Sequence, residues 1–298
     1  MPEFTCKDPV ALNLWHVIAS VEEVADGSVQ RTQLLGDQVA FTQRADGDFI
    51  VWRPTDSNSD SVPSDPAVLL PVQQKYGYIW TTFGTPEHDI FAIPEFDESD
   101  RRNIHAATFG VHVSAPRAIE NFLDMGHFPY VHTDILGAEP HTEVKEYYVD
   151  VSEERDEIVA TNCKFWQPIA AAGSTDGADV DYIYRVPHPY CSVLYKSCPG
   201  EESRLDAIAV FVQPVDEEHV RAHMMLTLID EVSADTAIRL FQQTIFGQDK
   251  PILENQYPKR LPLDPRAETP IRADKSAIAY RRWLTGKGIT YGVIPSAA

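Results

Sequence analysis

Residues Glu120–His132, with the sequence ENFLDMGHFPYVH, contain the two histidines around which the rest of the chain is interpreted. His127 and His132 stand five residues apart, so on a straight helix their side chains would point about 140° away from each other. Pro129 lies between them and lacks a backbone N–H, which predicts that the helix ends or kinks there. We therefore expect His127 in the last helical turn and His132 in the following turn, with both imidazoles facing one metal ion.

Two polar residues precede the first histidine at helical spacing. Asp124 and Asn121 lie three and six residues before His127, on about the same helical face. A carboxylate at Asp124 can accept the far N–H of a metal-bound imidazole, which fixes its tautomer. Two neutral imidazoles and one carboxylate from elsewhere form the facial triad of non-haem Fe(II) oxygenases. Zinc can use the same ligands, and the His-x4-His spacing alone does not separate the two metals.

Composition restricts the class of protein. The 298 residues are 43% hydrophobic and 10% aromatic, which indicates a globular chain. Twenty-five Lys and Arg against 45 Asp and Glu give a net charge of −20, which argues against a nucleic-acid or anionic-membrane partner. We see no membrane span and no signal peptide, so the cytoplasm is the expected location. Free thiols are expected at the four irregularly spaced cysteines Cys6, Cys163, Cys191 and Cys198.

The first hundred residues predict short strands joined by turns. One strand is predicted at Val29–Leu35. Two more, Gln38–Arg44 and Asp48–Arg53, flank a hairpin turn at Asp46–Gly47. Aromatic residues alternate along Tyr76–Phe83, as expected of a half-buried strand.

The remaining residues predict longer elements. A helix is predicted at Pro116–His127. The predicted strands are Ile104–Ser114, Glu143–Val151, Ile158–Gln167, Val180–Lys196, Leu205–Val215 and His219–Ile229. A long helix is predicted from Ser233 to Gln256, disturbed near Pro251. A last helix is predicted from Ala273 to Leu284, ending near Gly286.

The pattern Asn-x2-Asp-x2-His-x4-His, led by Glu120 and followed by Gly137, resembles the mononuclear-iron motif of the Rieske non-haem iron oxygenases. It is most similar to the branch containing vanillate O-demethylase and the bacterial N-demethylases, over most of the chain. The resemblance implies an α+β fold with two domains. Residues 1–98 would form a small antiparallel, Rieske-like β domain. Residues 99–298 would form a helix-grip (START-like) catalytic domain, in which an antiparallel sheet surrounds a long C-terminal helix.

One part of the family pattern is missing. In the family, two hairpin loops supply Cys-x-His and Cys-x2-His to a two-iron cluster. Here no cysteine occurs between Cys6 and Cys163, and no histidine between His16 and His88. We therefore expect one Fe(II) per chain and no iron–sulfur cluster. The resemblance then implies a separate Rieske-containing reductase as electron donor, with electrons passing through Asp124.

The resemblance also implies the third metal ligand. Asp249 lies in FGQDKPILENQ (residues 246–256), which is similar to the Asp-x2-(Ile/Val)-x-Glu-x-Gln segment of the family's long helix. Without the resemblance, Asp249 reads as a solvated acid on a charged helix. Asn121 is expected near the iron without coordinating it.

A substrate pocket is expected around the same helix. Leu253 and Gln256 follow Asp249 on one face, Phe246 precedes it, and His188 is a further candidate. The alternative is that Leu253 is ordinary core and Gln256 a helix-end cap. No Arg or Lys can be placed in the pocket from the sequence, which disfavours an acidic substrate.

The triad residues and Asp124 favour an enzyme. The resemblance implies that Fe(II) and dioxygen hydroxylate an N-methyl group of a methylxanthine, giving xanthine and formaldehyde from 7-methylxanthine. O-demethylation or ring hydroxylation of an aromatic acid is the alternative reaction. The alternative from another class is a catalytically silent structural subunit of a heteromeric oxygenase. The expected assembly is a homotrimer or a hetero-oligomer with a structural subunit.

Overall fold

A computed structural model of the chain describes residues 3–24, 27–54, 62–63, 65–171, 177–198 and 201–296. The first strands are β1 (His16–Ser20), β2 (Gln30–Leu34), β3 (Asp37–Gln43), β4 (Phe49–Trp52), β5 (Leu69–Leu70), β6 (Val72–Lys75) and β7 (Tyr78–Thr81). The later strands are β8 (Arg102–Val111), β9 (Tyr148–Ser152), β10 (Glu157–Gln167), β11 (Ala178–His188), β12 (Cys191–Cys198), β13 (Glu201–Pro214), β14 (Val220–Leu228), β15 (Leu261–Pro262) and β16 (Val293–Ile294). The α-helices are α1 (Pro9–Leu12), α2 (Ala115–Leu123), α3 (Phe128–Val131), α4 (Asp235–Asn255) and α5 (Lys275–Lys287).

Strands β1 to β7 form two small antiparallel sheets, ordered β1-β7-β6 and β2-β3-β4-β5. The predicted Asp46–Gly47 turn is confirmed, because β3 and β4 pair across it. Gly47 has a φ of 93°, a conformation that glycine adopts without steric cost. The strand predicted at Tyr76–Phe83 is shorter, because Tyr76 and Gly77 form the turn before β7, with φ of 58° and 77°.

Seven strands form the central antiparallel sheet, ordered β8-β14-β13-β12-β11-β10-β9. Alternate side chains of a strand point to opposite faces. On β13, Phe211 therefore packs against Tyr78 and Trp80 of the N-terminal part, with ring centroids 5.2 and 5.1 Å away, whereas Ile208 faces the helices. The predicted α+β class is confirmed. The division at residues 98 and 99 stays a prediction, because apolar residues of both parts share buried clusters.

The strand predicted at Val180–Lys196 is a hairpin made of β11 and β12. Its turn, Pro189–Tyr190, lacks the glycine or asparagine that usually marks a hairpin. The turn is held by tertiary contacts instead: the Tyr190 carbonyl accepts from Val212 N–H at 2.9 Å, and the Pro189 carbonyl accepts from the Tyr280 hydroxyl at 2.5 Å. These contacts come from distant segments, so the local sequence did not reveal the turn.

Helix α4 lies along β8, the outermost strand of the central sheet. Three side chains of α4 donate hydrogen bonds to carbonyl groups of that strand: Arg239 to His105 at 2.9 Å, Gln243 to Ala106 at 2.8 Å and Lys250 to Gly110 at 2.7 Å. An outer strand leaves backbone groups that need such partners. The bonds fix the register of the helix against the sheet and hence the position of Asp249, which precedes Lys250.

Two predicted helix ends are corrected. Helix α4 begins at Asp235 rather than beside Ser233, because Asp230 Oδ1 binds the Ser233 N–H at 2.8 Å and holds it in the preceding turn. The helix continues through Pro251, where a disturbance was expected. Helix α5 ends at Lys287, beyond the predicted Leu284 but next to Gly286 as expected, because Gly288 has a φ of 76°. Within the described residues, no helix is long and apolar enough to cross a membrane.

Four charged side chains form a closed ring between α2, α5 and the segment that precedes α5. Arg117 donates to Glu120 Oε2 at 3.0 Å and to Glu268 Oε1 at 2.5 Å. Arg281 donates to Glu120 Oε1 at 2.6 Å and also contacts Glu268. The Arg117 side chain is 0% exposed, so the two carboxylates compensate a buried positive charge.

Candidate metal centre

Helix α2 ends earlier than the sequence predicted, at Leu123 instead of His127. Asp124 Oδ1 accepts a hydrogen bond from Gly126 N–H at 2.7 Å, and such a side-chain turn takes the chain out of the helix. The other carboxylate oxygen, Oδ2, lies 3.0 Å from His127 Nδ1. Asp124 therefore ends the helix and orients the first histidine.

A separate four-residue helix, α3, carries the two histidines at its ends. His127 is its N-cap and His132 its C-cap. Pro129 lies in the first turn, where a missing N–H costs no helical bond. The kink expected at Pro129 is therefore wrong. One helical turn brings His127 Nε2 within 3.1 Å of His132 Nε2.

Gly137, the residue after the histidine motif, lets the chain return close beside α3. A Cβ at this position would lie 2.8 Å from both the Cα and the N of Pro129, closer than non-bonded atoms approach. Only glycine fits without moving the backbone between the two histidines.

Helix α4 contributes two adjacent residues to the site. Asp249 Oδ1 lies 3.1 Å from His132 Nε2 and 3.3 Å from His127 Nε2. Gln248 Oε1 accepts from His132 Nδ1 at 2.9 Å. Sequence reasoning missed Gln248, because helical neighbours point about 100° apart and only the fold reveals that both reach one imidazole. Glu254, another acid of α4, lies outside the site and accepts from a backbone N–H just after β8.

The three candidate ligand atoms form a compact triangle with edges of 3.1–3.3 Å. Three ligands about 2.1 Å from a metal on one octahedral face are about 3.0 Å apart. With each Nδ1–H donating to its acceptor, both Nε2 lone pairs point towards Asp249 Oδ1, which has no hydrogen-bond donor among the described residues. These electron-rich atoms repel each other unless a cation lies among them. Of the described side chains, only these three are grouped closely enough to hold a metal ion.

The charged groups of the site shift one another's pKa values. Burial alone would lower the pKa of His127, but the hydrogen bond and charge of Asp124 and the carboxylate of Asp249, 3.3 Å away, raise it to about 9. Burial opposes ionisation of both carboxylates, yet the imidazoles outweigh it, and the pKa values of Asp124 and Asp249 fall below their usual range. The metal-free site therefore holds a proton at neutral pH, which a divalent metal must displace.

A cavity opens at the triad between the helices and the central sheet. Its walls are mainly apolar and aromatic, and include Phe128, Tyr182, Tyr184, Ile208, Met224 and Ile245. Phe246, a predicted pocket residue, lies in this wall and stacks on Phe109 with ring centroids 4.4 Å apart. Asn121 lies in it as well, next to His127. The structure also places Lys196 in the wall, although the sequence had suggested no cation there.

Three other predicted pocket residues lie outside this cavity. Leu253 is 1% exposed and belongs to the core. Gln256 is the C-cap of α4 and faces a separate groove. His188 lies in a third depression, where its Nδ1 accepts from Tyr190 N–H at 3.0 Å. Each helical residue adds 1.5 Å of rise, so Gln256 is about 10 Å beyond Asp249 along the axis and has passed the cavity.

An open groove reaches the metal centre from the outside. Asp124, His127 and Gln256 line it together with part of the buried charge ring. The side chain of Asp124 is 34% exposed and that of His127 is 14% exposed. Asp124 thus links the protein surface to a largely buried imidazole through one hydrogen bond.

The structure describes the side chains of three of the four cysteines. Cys6, Cys163 and Cys191 are buried and free, as expected. Burial raises the pKa of the Cys6 thiol to about 11 and that of Cys163 to about 12. The side chain of Cys198, and most of the loop at residues 53–66, lie outside the described residues.

An antiparallel sheet, a long helix and a largely buried group of two histidines and one carboxylate form the arrangement that is typical of facial-triad metalloenzymes. Residues 111–287 match the family described as vanillate O-demethylase oxygenase C-terminal domain. The chain is 44% identical over 278 residues to the probable methylxanthine N7-demethylase NdmC of Pseudomonas sp. (strain TJI-51), covering 93% of this chain and 95% of that protein. The chain therefore belongs to the vanillate O-demethylase family of Rieske-type non-haem iron oxygenases, and it is an enzyme of this kind.

Two solved structures share the fold. Pseudomonas putida CBB5 NdmA with caffeine has a TM-score of 0.73 at 19% identity, over 93% of this chain and 90% of that one. Dicamba monooxygenase bound to 3,6-dichlorosalicylic acid has a TM-score of 0.75 at 16% identity, over 94% of this chain and 98% of that one. The similarity extends through the N-terminal sheets as well as the metal-binding part. The resemblance drawn from the Asn-x2-Asp-x2-His-x4-His motif is confirmed.

Proposed function

We propose that this chain is the oxygenase component of a methylxanthine N-demethylase that acts on the N7-methyl group of 7-methylxanthine. The observation that carries the proposal is the buried triangle of His127, His132 and Asp249 at a largely apolar cavity. The 44% identity to a probable methylxanthine N7-demethylase supports the choice of substrate. Flat aromatic walls suit a planar heterocycle.

His127, His132 and Asp249 hold one Fe(II) per chain. Fe(II) bound there would supply the dioxygen chemistry that hydroxylates an N-methyl carbon, with two electrons from the donor and two protons, the second oxygen atom leaving as water. The hydroxymethyl product then releases formaldehyde and leaves xanthine. Asp124 and Gln248 hold the Nδ1 protons of the two histidines, which keeps both Nε2 lone pairs available to the metal. Asn121 lines the cavity beside His127 as a polar group that does not coordinate.

The electrons come from a separate protein with its own Rieske centre, because this chain has no cysteine between Cys6 and Cys163 to build one. We propose the open groove as the docking position, since Asp124 is partly exposed there and hydrogen-bonded to His127. A trimer, or a hetero-oligomer with a structural subunit, is the assembly that we propose. A catalytically silent subunit would need neither the three ligand residues nor the two side chains, Asp124 and Gln248, that hydrogen-bond to the histidines.

Lys196 makes an aromatic acid the second candidate substrate. It lies in the cavity wall, where its ammonium group donates to the Ala170 carbonyl. A positive charge there attracts a carboxylate, so the argument against acidic substrates, which rested on the absence of a cation, is withdrawn. O-demethylation or ring hydroxylation of an aromatic acid would then be the reaction.

The test uses the iron-loaded chain with a Rieske-containing reductase and either 7-methylxanthine or a methoxybenzoate. The proposal expects xanthine and formaldehyde in equal amounts from 7-methylxanthine. Asp124→Asn should keep iron and bind substrate, yet lose reductase-driven turnover, while hydrogen peroxide still supports some product. Product from the methoxybenzoate alone would favour the second candidate. No turnover by either route would favour a silent subunit.

A further inference from the structure

The wall of the metal-site cavity contains a buried hydroxyl group that lacks a partner. Tyr184, on β11, lines this cavity together with the triad. The residue is 2% exposed, and its hydroxyl makes no hydrogen bond to any described residue. An unpaired buried hydroxyl destabilises a folded protein. Its presence in a cavity indicates a partner that arrives from outside the chain.

The neighbouring polar groups on this face of the sheet are already engaged. Tyr182, two residues earlier on β11, lines the same cavity, but its hydroxyl accepts from Gln167 Nε2. Lys196 is opposite Tyr182 in the β11–β12 register, and its ammonium donates to the Ala170 carbonyl. Tyr184 and Lys196 are therefore diagonal neighbours on one face. Of the two cavity tyrosines, Tyr184 is the one whose hydroxyl makes no hydrogen bond to a described residue.

The position of the Tyr184 ring is restricted by packing. Phe122 of α2 lies edge-on to it with ring centroids 6.3 Å apart, and Tyr182 lies 6.0 Å away. Burial, reinforced by nearby ionisable groups that include Asp124, raises the pKa of Tyr184 well above its usual value of 10. The hydroxyl therefore stays protonated and can donate a hydrogen bond at neutral pH.

We propose that Tyr184 is a specificity-determining residue whose hydroxyl donates a hydrogen bond to a ring carbonyl oxygen of the methylxanthine. This inference rests on the proposed function and assigns one recognition contact to it. A purinedione supplies the acceptor that the free protein lacks, and Lys196 adds positive charge to the same wall. A purine without carbonyl groups leaves the hydroxyl unpaired and is disfavoured.

The test compares Tyr184→Phe with the matched variant Tyr280→Phe, which loses a buried hydroxyl outside the cavity. For the iron-loaded proteins without oxygen, titration calorimetry gives the Kd of 7-methylxanthine and of 7-methylpurine, which lacks both carbonyls. Melting temperatures are recorded without ligand. Tyr184→Phe should weaken 7-methylxanthine binding about 5- to 10-fold, leave 7-methylpurine binding unchanged, and melt at the same or a higher temperature. Tyr280→Phe should keep both affinities within about 2-fold and melt at a lower temperature, since the Pro189 carbonyl loses its donor.

Three outcomes would overturn this inference without affecting the proposed function. These are unchanged 7-methylxanthine binding in Tyr184→Phe, equal weakening of both ligands, or a lower melting temperature that reveals a protein partner for the hydroxyl. A wild-type protein that does not bind 7-methylxanthine would overturn the proposed function, and with it the ligand assigned to Tyr184.

Discussion

Gln248→Leu removes the one contact of the metal centre that the sequence did not reveal. Gln248 Oε1 accepts the Nδ1 proton of His132 at 2.9 Å. The His132 side chain is only 1% exposed, so water cannot easily replace the lost acceptor. Leucine has a similar size and helix propensity, so α4 should be preserved. Without an acceptor, the imidazole loses the contact that keeps its Nε2 lone pair directed at the metal.

The expected cost follows from this geometry. Loss of a hydrogen-bonded support of a metal-bound histidine lowers metal affinity about 10- to 100-fold, or about 1.4–2.7 kcal/mol. Because the bond is short and buried, we expect the upper half of that range. Competition with a coloured Fe(II) chelator in the absence of oxygen measures the affinity directly.

Gln243→Leu is the matched control. Gln243 is on the same helix, but its side chain donates to the Ala106 carbonyl rather than to a histidine, and the bonds of Arg239 and Lys250 still hold the register of the helix. Its Fe(II) affinity should stay within about 2-fold of the wild type. Gln248→Glu, which keeps an acceptor, should retain most of the affinity. An unchanged affinity in Gln248→Leu, or an equal loss in Gln243→Leu, would refute the proposed role of Gln248.

Three further predictions concern the frame around the site. Gly137→Ala should lower iron occupancy, because its Cβ would press on the α3 backbone, whereas Gly247→Ala, with nothing within 4 Å, should not; metal analysis of both proteins decides. Arg117→Met leaves the two ring carboxylates with Arg281 as their one remaining ring cation. It should reduce the free energy of unfolding by about 3–5 kcal/mol, measured by denaturant titration, whereas the exposed Arg266→Met should cause no measurable change. Burial lowers the pKa of His223 to about 3, below its unfolded value of about 6.5. As the pH falls, His223 therefore takes up a proton in the unfolded state before it does so in the folded state. Between pH 7 and pH 5, the free energy of unfolding of the wild type should decrease by about 2 kcal/mol more than that of His223→Gln. Equal decreases would contradict this.

The sequence revealed the parts of the site that depend on local chemistry. The positions of His127 and His132 beside Asp124 follow from short-range spacing, and the Asp124–His127 contact was expected before the fold was known. The hairpin at Gly47 was likewise readable, since a positive φ favours glycine. Asp249 was reached only through resemblance, because its approach to the histidines depends on how α4 lies along β8.

The parts that could not be predicted depend on contacts between distant segments. The end of α2 at Leu123 follows from a side-chain hydrogen bond of Asp124 that competes with the helix. Gln256 was placed on the correct helix but too far along its axis to reach the cavity. Tyr184 and Lys196 approach the metal site only because strands β11 and β12 form a wall opposite α4. The hydrophobic pattern predicts on which face of a strand such residues lie. It does not predict which other segments pack against that face, because this depends on the complete fold.

The most direct test of the central claim is the iron and acid-labile sulfide content of the purified, Fe(II)-reconstituted chain, measured beside Asp249→Ala. A mononuclear site predicts about one iron and no sulfide per wild-type chain, without Rieske absorption. Asp249→Ala should fold and yet contain little iron, because one of the three ligand atoms, and with it the 3.1 and 3.3 Å edges of the triangle, is lost. Sulfide with a brown cluster spectrum in the wild type, or full iron occupancy in Asp249→Ala, would contradict a cluster-free site built on these three residues.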